Sequence, residues 1–321
     1  MLDGEPHDEE QRPNGGGDQS DALGSHNSSH GRRSAKMPVD RNSPYYNMNH
    51  KFRGMAIIFN HDHDHYEIDM ASRPGTTKDC ENLDKCLSDL GFTVDVFSNL
   101  RYDDIMKEIK RTAKTNHSKN DCLLIVVLTH GMPGMLYAKD TCYSFEKLWC
   151  HFTEENCPSL AGKPKLFFFQ ACQGEKYDNG ITLTNAQSED TFYNNNNASS
   201  IEPDDDDGWS KGYKNPTHPD FLLVLSTVPG YYAWRNTSHG SWFVQALCEE
   251  LNYSAANTDI LTILTRVSLK VALDFQSNTP DNIESHEKKQ VPCISSMLTR
   301  LLVFTKKTDL QHDKHCCVCT L

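Results

Sequence analysis

The stretch CLLIVVL at residues 122–128 is the longest uninterrupted apolar run in the chain and decides its fold class. It is far too short to cross a bilayer, but its length suits a strand that is buried on both faces of a sheet. Similar runs recur along the sequence and predict five further strands, at 55–60, 92–97, 165–169, 221–227 and 299–304.

Segments with helical periodicity separate these strands. Residues 76–90 place apolar side chains on one helical face, and further helices are predicted at 102–114, 240–252 and 259–273, the last behind a cap at Thr258 or Asp259. Buried strands that alternate with helices are typical of βαβ units. The sequence therefore predicts an α/β fold with a mostly parallel sheet of six strands and helices on both faces.

The charge balance excludes several classes of partner. The 321 residues include 32 Lys and Arg against 44 Asp and Glu, which gives a net charge of −12. An acidic chain is a poor ligand for nucleic acid or for an anionic membrane surface, so we expect neither as a partner. The acidic N-terminus lacks the apolar stretch of a secretory signal, and we therefore expect a cytoplasmic protein whose 12 cysteines stay reduced.

Composition divides the chain into five parts. Residues 1–50 are polar, and we expect a disordered N-terminal segment. Residues 187–211, which contain four consecutive Asn and four consecutive Asp, are typical of an exposed linker. The linker separates a large part at 51–186 from a small part at 212–310, which has too few strands to form its own sheet. Residues 311–321 form a tail rich in Cys and His.

Four chemically distinctive side chains follow predicted strands at the point where each strand ends. Arg73 follows the first strand, His130 the third, Cys172 the fourth and Arg235 the fifth. The carboxyl ends of parallel strands meet at one edge of a sheet, where sites in open α/β folds are found. The sequence therefore predicts that a thiol, an imidazole and two guanidiniums converge.

Two His-rich tracts are weak candidates for metal binding. The tract HDHDH at residues 61–65 and the tail at 311–321 contain ligand types, but their spacing is undemanding. We expect no metal and no other cofactor.

The motif QACQG at 170–174, with His130 located 42 positions before Cys172, resembles the signature of caspases. Four further segments resemble caspase sequences: SRPGT (72–76), LTHG (128–131), YYAWRNTSHGSWF (231–243) and KKQVPC (288–293). On these motifs the chain is identified as a member of the caspase family of cysteine proteases, of executioner type, and an invertebrate source is compatible with them. The resemblance implies the caspase sandwich fold.

The resemblance also implies roles for the residues at the sheet edge. Cys172 would be the nucleophile and His130 the acid and base, with the backbone N–H groups of Cys172 and Gly131 forming the oxyanion hole. The backbone carbonyl of Ala71 would orient the imidazole, which does not depend on the side chain at that position.

Substrate specificity follows from the paired arginines. Two guanidiniums beside Gln170 suit a planar carboxylate, so Arg73, Gln170 and Arg235 would bind an Asp side chain at the cleaved position. The resemblance implies that further pocket walls come from Tyr232, Trp234, Asn236 and Trp242.

An enzyme that cuts after Asp finds such sites in its own sequence. Within the linker, Asp207 precedes Gly208, and Asp204 and Asp190 are rival positions. Asp21 offers a similar site in the N-terminal segment. We therefore expect a zymogen that is activated by cleavage after Asp.

The family resemblance implies several partners. These are protein substrates with exposed Asp motifs, an upstream activating caspase, protein caspase inhibitors and a second copy of the chain in a homodimer of large and small subunit pairs.

Several alternatives stay open at this point. The N-terminal segment is too short for an adaptor domain and favours an executioner, but Gln173 stands where executioners more often have Arg, so an initiator without an adaptor is the next reading. A catalytically inactive decoy is disfavoured because Cys172 and His130 are both present. A related protease specific for basic residues is disfavoured because the predicted pocket offers arginines.

Overall fold

A computed structural model of the chain describes residues 38–62, 67–182 and 218–307. The strands, in chain order, are β1 (Phe52–Asn60), β2 (Thr93–Ser98), β3 (Asn120–Leu128), β4 (Gly131–Met132), β5 (Met135–Tyr137), β6 (Cys142–Ser144), β7 (Lys165–Gln170), β8 (Phe221–Leu225), β9 (Arg235–Asn236), β10 (Gly240–Ser241) and β11 (Cys293–Ser296). The α-helices are α1 (Thr76–Asp89), α2 (Tyr102–Lys114), α3 (Glu146–Trp149), α4 (Trp242–Ser254) and α5 (Ile260–Asp274). Short 3₁₀ turns cover Cys150–Phe152 and Pro158–Leu160.

The central sheet has six strands in the order β11-β8-β7-β3-β1-β2. All neighbours pair in parallel except β11, which runs antiparallel to β8 at one edge. The predicted α/β fold with a mostly parallel sheet of six strands is therefore confirmed. Strands β8 and β11, which follow the predicted linker, extend the sheet formed by the strands before it.

The sixth predicted strand, at 299–304, is wrong. The sixth strand is β11, a short segment of half-exposed and exposed residues. Leu302 and Phe304 are apolar because they are buried in the core, and their backbone groups bond to helical segments: Ile260 N–H donates to Leu302 O at 2.8 Å, and Phe304 N–H donates to Ala255 O at 3.0 Å.

Alternation along the buried strands divides the core into two layers. In β1, Ala56 and Ile58 face the layer covered by α1, α4 and α5, whereas Ile57 and Phe59 face the layer covered by α2 and α3. Because both faces are covered, the strand reads as a continuous apolar run. The prediction of helices on both faces is confirmed.

The helices lie close to their predicted positions. The α5 helix begins behind Asp259, whose carboxylate accepts the N–H groups of Leu261 at 3.0 Å and Thr262 at 3.4 Å. The segment predicted to start a helix at residue 240 first forms the two-residue strand β10, and α4 starts at Trp242.

The folded core extends further toward the N-terminus than the predicted boundary at residue 50. Tyr46 and Met48 are buried in the α1, α4 and α5 layer, and the Tyr46 hydroxyl donates to Asp220 Oδ1 at 2.7 Å. Two apolar side chains in a polar stretch are a weak pattern, so the sequence prediction was wrong for this part. The rest of the predicted N-terminal segment, the linker at 187–211 and the tail at 311–321 lie outside the described residues. Among the described residues, no helix is long and apolar enough to cross a membrane.

Candidate active site

The ends of four neighbouring parallel strands form one edge of the sheet. The segments that follow β1, β3, β7 and β8 carry Arg73, His130, Cys172 and Arg235, respectively. The positive charges of Arg73 and Arg235 both act on the Cys172 thiol and on the His130 ring. The predicted convergence of the four side chains is therefore present.

The Cys172 thiol lies against the backbone of Ala233. Ala233 N–H donates to Cys172 Sγ at 3.4 Å, and the Ala233 carbonyl oxygen is 3.8 Å from the sulfur. Burial raises the pKa of Cys172, while the Ala233 backbone and the two arginines act in the opposite direction. In this arrangement the sulfur rests as a neutral thiol.

The His130 ring is held by a backbone carbonyl. Its Nε2 lies 2.7 Å from the oxygen of Ala71. A carbonyl only accepts, so Nε2 carries the hydrogen and Nδ1 carries the lone pair. The pKa of His130 is lowered to about 4, chiefly by burial and in smaller part by the charges of Arg73 and Arg235, while the Ala71 carbonyl acts in the opposite direction. The ring is therefore a neutral base near pH 7.

Gly131 lies where two segments approach too closely for a side chain. A Cβ at this position would lie 2.5 Å from the carbonyl oxygen of Cys172 and 2.9 Å from Cβ of Ala171. The absence of a side chain therefore lets the backbone after β3 approach the backbone that carries Cys172.

Arg73 is almost fully buried, with 1 % of its surface exposed. Its Nη1 donates to the carbonyl oxygen of His61 at 2.6 Å and to Thr76 Oγ1 at 2.9 Å. These bonds fix one arm of the guanidinium against the loop that follows β1 and the first turn of α1.

Arg235 approaches the same region from β9. Its Nε donates to the carbonyl oxygen of Pro74 at 2.8 Å, so the two arginines are joined through adjacent backbone. Burial lowers the pKa of Arg235, and the charge of Asp79 opposes that effect. Gln170, at the end of β7, is 98 % buried, and its Oε1 accepts no hydrogen bond from the residues the structure describes.

A buried carboxylate that the sequence analysis missed lies behind the arginines. Asp79, in the first turn of α1, accepts the Ser241 N–H at 2.7 Å and the Ser241 hydroxyl at 2.5 Å. Ser241 pairs with Arg235 in the hairpin formed by β9 and β10. Burial raises the pKa of Asp79, while the Ser241 bonds lower it. The carboxylate thus pins the Arg235 hairpin to α1, and an isolated Asp in a helical pattern carries no sequence signal for this contact.

The three aromatic residues predicted to line the pocket, Tyr232, Trp234 and Trp242, lie in one row of stacked rings that also includes Tyr177. Trp234 stacks on Trp242 with ring centroids 5.7 Å apart, and Tyr232 stacks on Tyr177 at 4.6 Å. Trp242 continues the row to Phe275 at 5.5 Å. Tyr177 and Phe275 were not predicted from the sequence, because they come from segments distant along the chain.

The side chain of Asn236 serves the hairpin turn in this structure. Its Oδ1 accepts the N–H groups of Ser238 and His239, both at 2.9 Å. The predicted cleavage positions Asp21, Asp190, Asp204 and Asp207 lie outside the described residues, and so does part of the His-rich tract at 61–65.

The sequence is similar to those of known proteins over most of its length. A family model described as "Caspase domain" matches residues 53–303, which is most of the chain. The chain belongs to the caspase family. It is 56 % identical over 315 residues to Caspase-1 of Spodoptera frugiperda, covering 96 % of this chain and 99 % of that protein. It is 49 % identical to Caspase drICE of Drosophila melanogaster, covering 91 % and 81 % of the two chains.

A solved structure matches the fold as well. The crystal structure of Caspase-1 from Spodoptera frugiperda superposes with a TM-score of 0.76 at 57 % identity and covers 86 % of this chain and 98 % of that chain. The predictions of the family, of its executioner type with an invertebrate source, and of the fold are confirmed. This caspase is a cysteine endopeptidase that cleaves proteins after Asp in apoptosis; zymogen activation and a dimeric assembly are typical of its family.

Proposed function

We propose that Cys172 is the nucleophile of this caspase and that His130 is its general base and acid. The observation that carries the proposal is that backbone groups contact both side chains: His130 Nε2 faces the Ala71 carbonyl, and Cys172 Sγ accepts the Ala233 N–H. This leaves the lone pair on His130 Nδ1 as the proton acceptor.

The chemistry begins from a neutral thiol and a neutral imidazole. As Sγ of Cys172 attacks the substrate carbonyl carbon, the thiol proton passes to Nδ1 of His130. Because burial raises the pKa of Cys172 and lowers that of His130, proton transfer accompanies attack and does not precede it. The oxyanion that forms is stabilised by the N–H groups of Cys172 and Gly131.

Collapse of the tetrahedral intermediate breaks the peptide bond. His130 returns the proton to the departing amine, which leaves a thioester between Cys172 and the N-terminal part of the substrate. Water then loses a proton to His130 and attacks the thioester carbon. The second collapse releases the carboxylic acid product and restores the thiol.

The substrate Asp is bound by Arg73, Arg235 and Gln170. The buried guanidinium of Arg73 and the half-buried guanidinium of Arg235 form charge-assisted hydrogen bonds to one carboxylate, and the buried Gln170 side chain adds a polar partner. A neutral side chain would leave the guanidiniums without a counter-ion from the substrate, which costs about 3–5 kcal/mol when a buried pair is broken. The side chain preceding Asp packs against Tyr232 and Trp234, with Asn236 and Trp242 further along the groove.

Activation and assembly are proposed on the same basis. Cleavage after Asp207, with Asp204 and Asp190 as rival positions, separates the large and small parts, and cleavage after Asp21 shortens the N-terminal segment. An upstream caspase makes the first cut, and protein caspase inhibitors occupy the groove.

Strand β11 lies at the edge of the sheet, so pairing of two copies there would join two large and small pairs into a homodimer. The cysteines that the structure describes are all free thiols, which suits a cytoplasmic location.

Hydrolysis of an acidic tetrapeptide amide that ends in Asp tests the proposal. The Cys172→Ala variant of the full chain is expected to lose more than about a thousandfold in kcat, since the covalent step is removed. Cys142→Ala, which removes an exposed free thiol, serves as the matched control and is expected to retain full activity. Activity that persists in Cys172→Ala would contradict the assignment.

A further inference from the structure

Gln290, in the segment that leads into β11, uses both ends of its side-chain amide inside the protein. Only 2 % of its surface is exposed. Its Oε1 accepts the N–H of Trp234 at 2.6 Å, and its Nε2 donates to the carbonyl oxygen of Ser226 at 2.6 Å. An N–H at one end and a carbonyl at the other fix the orientation of the amide, because only one assignment satisfies both bonds.

The Ser226 end of this contact leads to the nucleophile. Ser226 Oγ accepts the N–H of Ala171 at 3.3 Å and lies 3.2 Å from the Ala171 carbonyl oxygen, to which it donates. Ala171 directly precedes Cys172. The residue that holds one end of Gln290 therefore also holds the backbone from which the nucleophile projects.

The Trp234 end of this contact leads to Arg235, which is proposed to bind the substrate carboxylate. Trp234 stands between Ala233, whose N–H donates to Cys172 Sγ at 3.4 Å, and Arg235, whose Nε donates to Pro74 O. Its own N–H faces Gln290, whereas the N–H of Tyr232 bonds to the backbone of Lys176 at 3.0 Å. The Gln290 side chain therefore accepts the Trp234 N–H, where a backbone carbonyl of a neighbouring segment accepts the Tyr232 N–H.

We propose that Gln290 is a positioning residue that sets the spacing between Cys172 and Arg235, and that it thereby enforces the preference for Asp over Glu at the cleaved position. This inference rests on the proposed function, in which Cys172 attacks and Arg235 binds the substrate carboxylate. Glu differs from Asp by one methylene, so discrimination requires that the guanidinium stays at a fixed distance from the sulfur. A strand that shifts when its anchor is lost accommodates the longer side chain.

The test compares two tetrapeptide amides that differ only in Asp or Glu at the cleaved position. The ratio of their kcat/KM values is measured for the full chain, after cleavage, with and without substitutions. This ratio does not depend on the fraction of active enzyme, so a variant that is merely less stable leaves it unchanged. Gln290→Met keeps the length of the side chain and removes both hydrogen bonds, and it is expected to lower the ratio about tenfold while KM for the Asp peptide rises.

Two further variants keep the test decisive. Gln290→Glu keeps the acceptor for Trp234 N–H and is expected to give an intermediate ratio. Ser226→Ala keeps the carbonyl that Gln290 binds and removes the hydroxyl bonds to Ala171, and it is expected to reduce the ratio about threefold or more; Gln290→Glu decides the matter if Gln290→Met fails to fold. The matched control is Ser277→Ala, which removes a buried hydroxyl that also bonds two backbone groups, Ser285 O and Lys288 N–H, and is expected to keep the ratio.

The outcomes separate this inference from the function on which it rests. An unmodified chain that fails to hydrolyse the Asp peptide overturns the proposed function, and this inference with it. An unmodified chain that is active and selective, together with substituted chains whose ratio stays within about twofold of it, overturns the role of Gln290 alone.

Discussion

The Nε2 atom of His130 lies 2.7 Å from the carbonyl oxygen of Ala71, a residue that comes 59 positions earlier in the chain. This backbone acceptor fixes the tautomer of the ring, with the hydrogen on Nε2. Because the contact is made by the backbone, the ring orientation does not depend on the side chain at position 71. In cysteine proteases of other families, an Asn or Asp side chain orients the His ring.

This relationship predicts different outcomes for two neighbouring substitutions. Ala71→Ser keeps the carbonyl and exposes its hydroxyl, so kcat/KM for an Asp peptide should stay within about twofold of the unmodified chain. His130→Ala removes the proton acceptor and should lower kcat by about a thousandfold or more. Steady-state kinetics on the two purified variants measure this. A large loss in Ala71→Ser would mean that the side chain takes part.

The crowding at Gly131 predicts that an added methyl group displaces the backbone around Cys172, the proposed nucleophile. In Gly131→Ala the new Cβ would overlap with the Cys172 carbonyl oxygen at 2.5 Å. We expect kcat to fall by about a hundredfold, a loss of the size seen when one oxyanion donor is removed. Gly134→Ala is the control, because its Cβ would have nothing within 4 Å although its φ of 75° adds strain. Equal activity losses in the two variants would rule out crowding as the cause.

The buried His61 and the half-buried His130 predict that the free energy of unfolding decreases as the pH falls. Burial lowers the pKa of His61 to about 3 and that of His130 to about 4, so both rings are neutral in the folded chain at pH values where the unfolded chain binds protons. The stabilisation is therefore present above about pH 6.5 and is lost as the pH falls toward the folded pKa values. Between pH 6.5 and 5, His61 alone contributes a loss of about 2 kcal/mol in the free energy of unfolding.

Urea unfolding at several pH values measures this dependence. His61→Gln should flatten the dependence of the free energy of unfolding on pH, whereas replacement of the exposed His218 by Gln should leave the slope unchanged. An unfolding free energy that stays constant from pH 7 to pH 4.5 would contradict the assignment of neutral buried rings.

The buried charge cluster around Asp121 predicts a large loss of stability on neutralisation. The fully buried carboxylate accepts from Arg53 Nη1 at 2.9 Å, from Lys307 Nζ at 2.6 Å and from the His50 N–H at 2.8 Å. Asp121→Asn leaves the buried Arg53 without its counter-ion, and the free energy of unfolding should fall by about 3–5 kcal/mol. The exposed pair of Lys85 and Asp89 provides the control, since Asp89→Asn should shift the unfolding midpoint little. Equal shifts in the two variants would show that burial is not decisive.

Much of the fold and of the candidate site could be predicted because local pattern and tertiary position agree. Apolar runs located five of the six strands in the central sheet, although the edge strand β2 is half-buried and exposed along its length. Because parallel strands end at one edge of the sheet, the sequence alone predicts that Cys172, His130, Arg73 and Arg235 converge.

The remaining features depend on tertiary contacts that leave no local pattern. Strand β11 is short and polar, while the apolar segment after it packs beneath α4 and α5 without joining the sheet. Asp79 resembles any surface acid in a helix until burial places it against Ser241. Gln290 lies within the motif KKQVPC, but its two hydrogen bonds join residues 56 and 64 positions away, which the motif does not indicate.

The proposed function depends most on one relationship, in which the sulfur of Cys172 and the guanidiniums of Arg73 and Arg235 face the same bound substrate. The most direct measurement compares kcat/KM for two tetrapeptide amides that end in Asp or in the isosteric Asn, using the cleaved chain. The account predicts that the Asn peptide is cleaved more than about a hundredfold less efficiently, and that Arg235→Lys loses most of this preference because the planar fork is gone. Comparable cleavage of both peptides by the unmodified chain would contradict it.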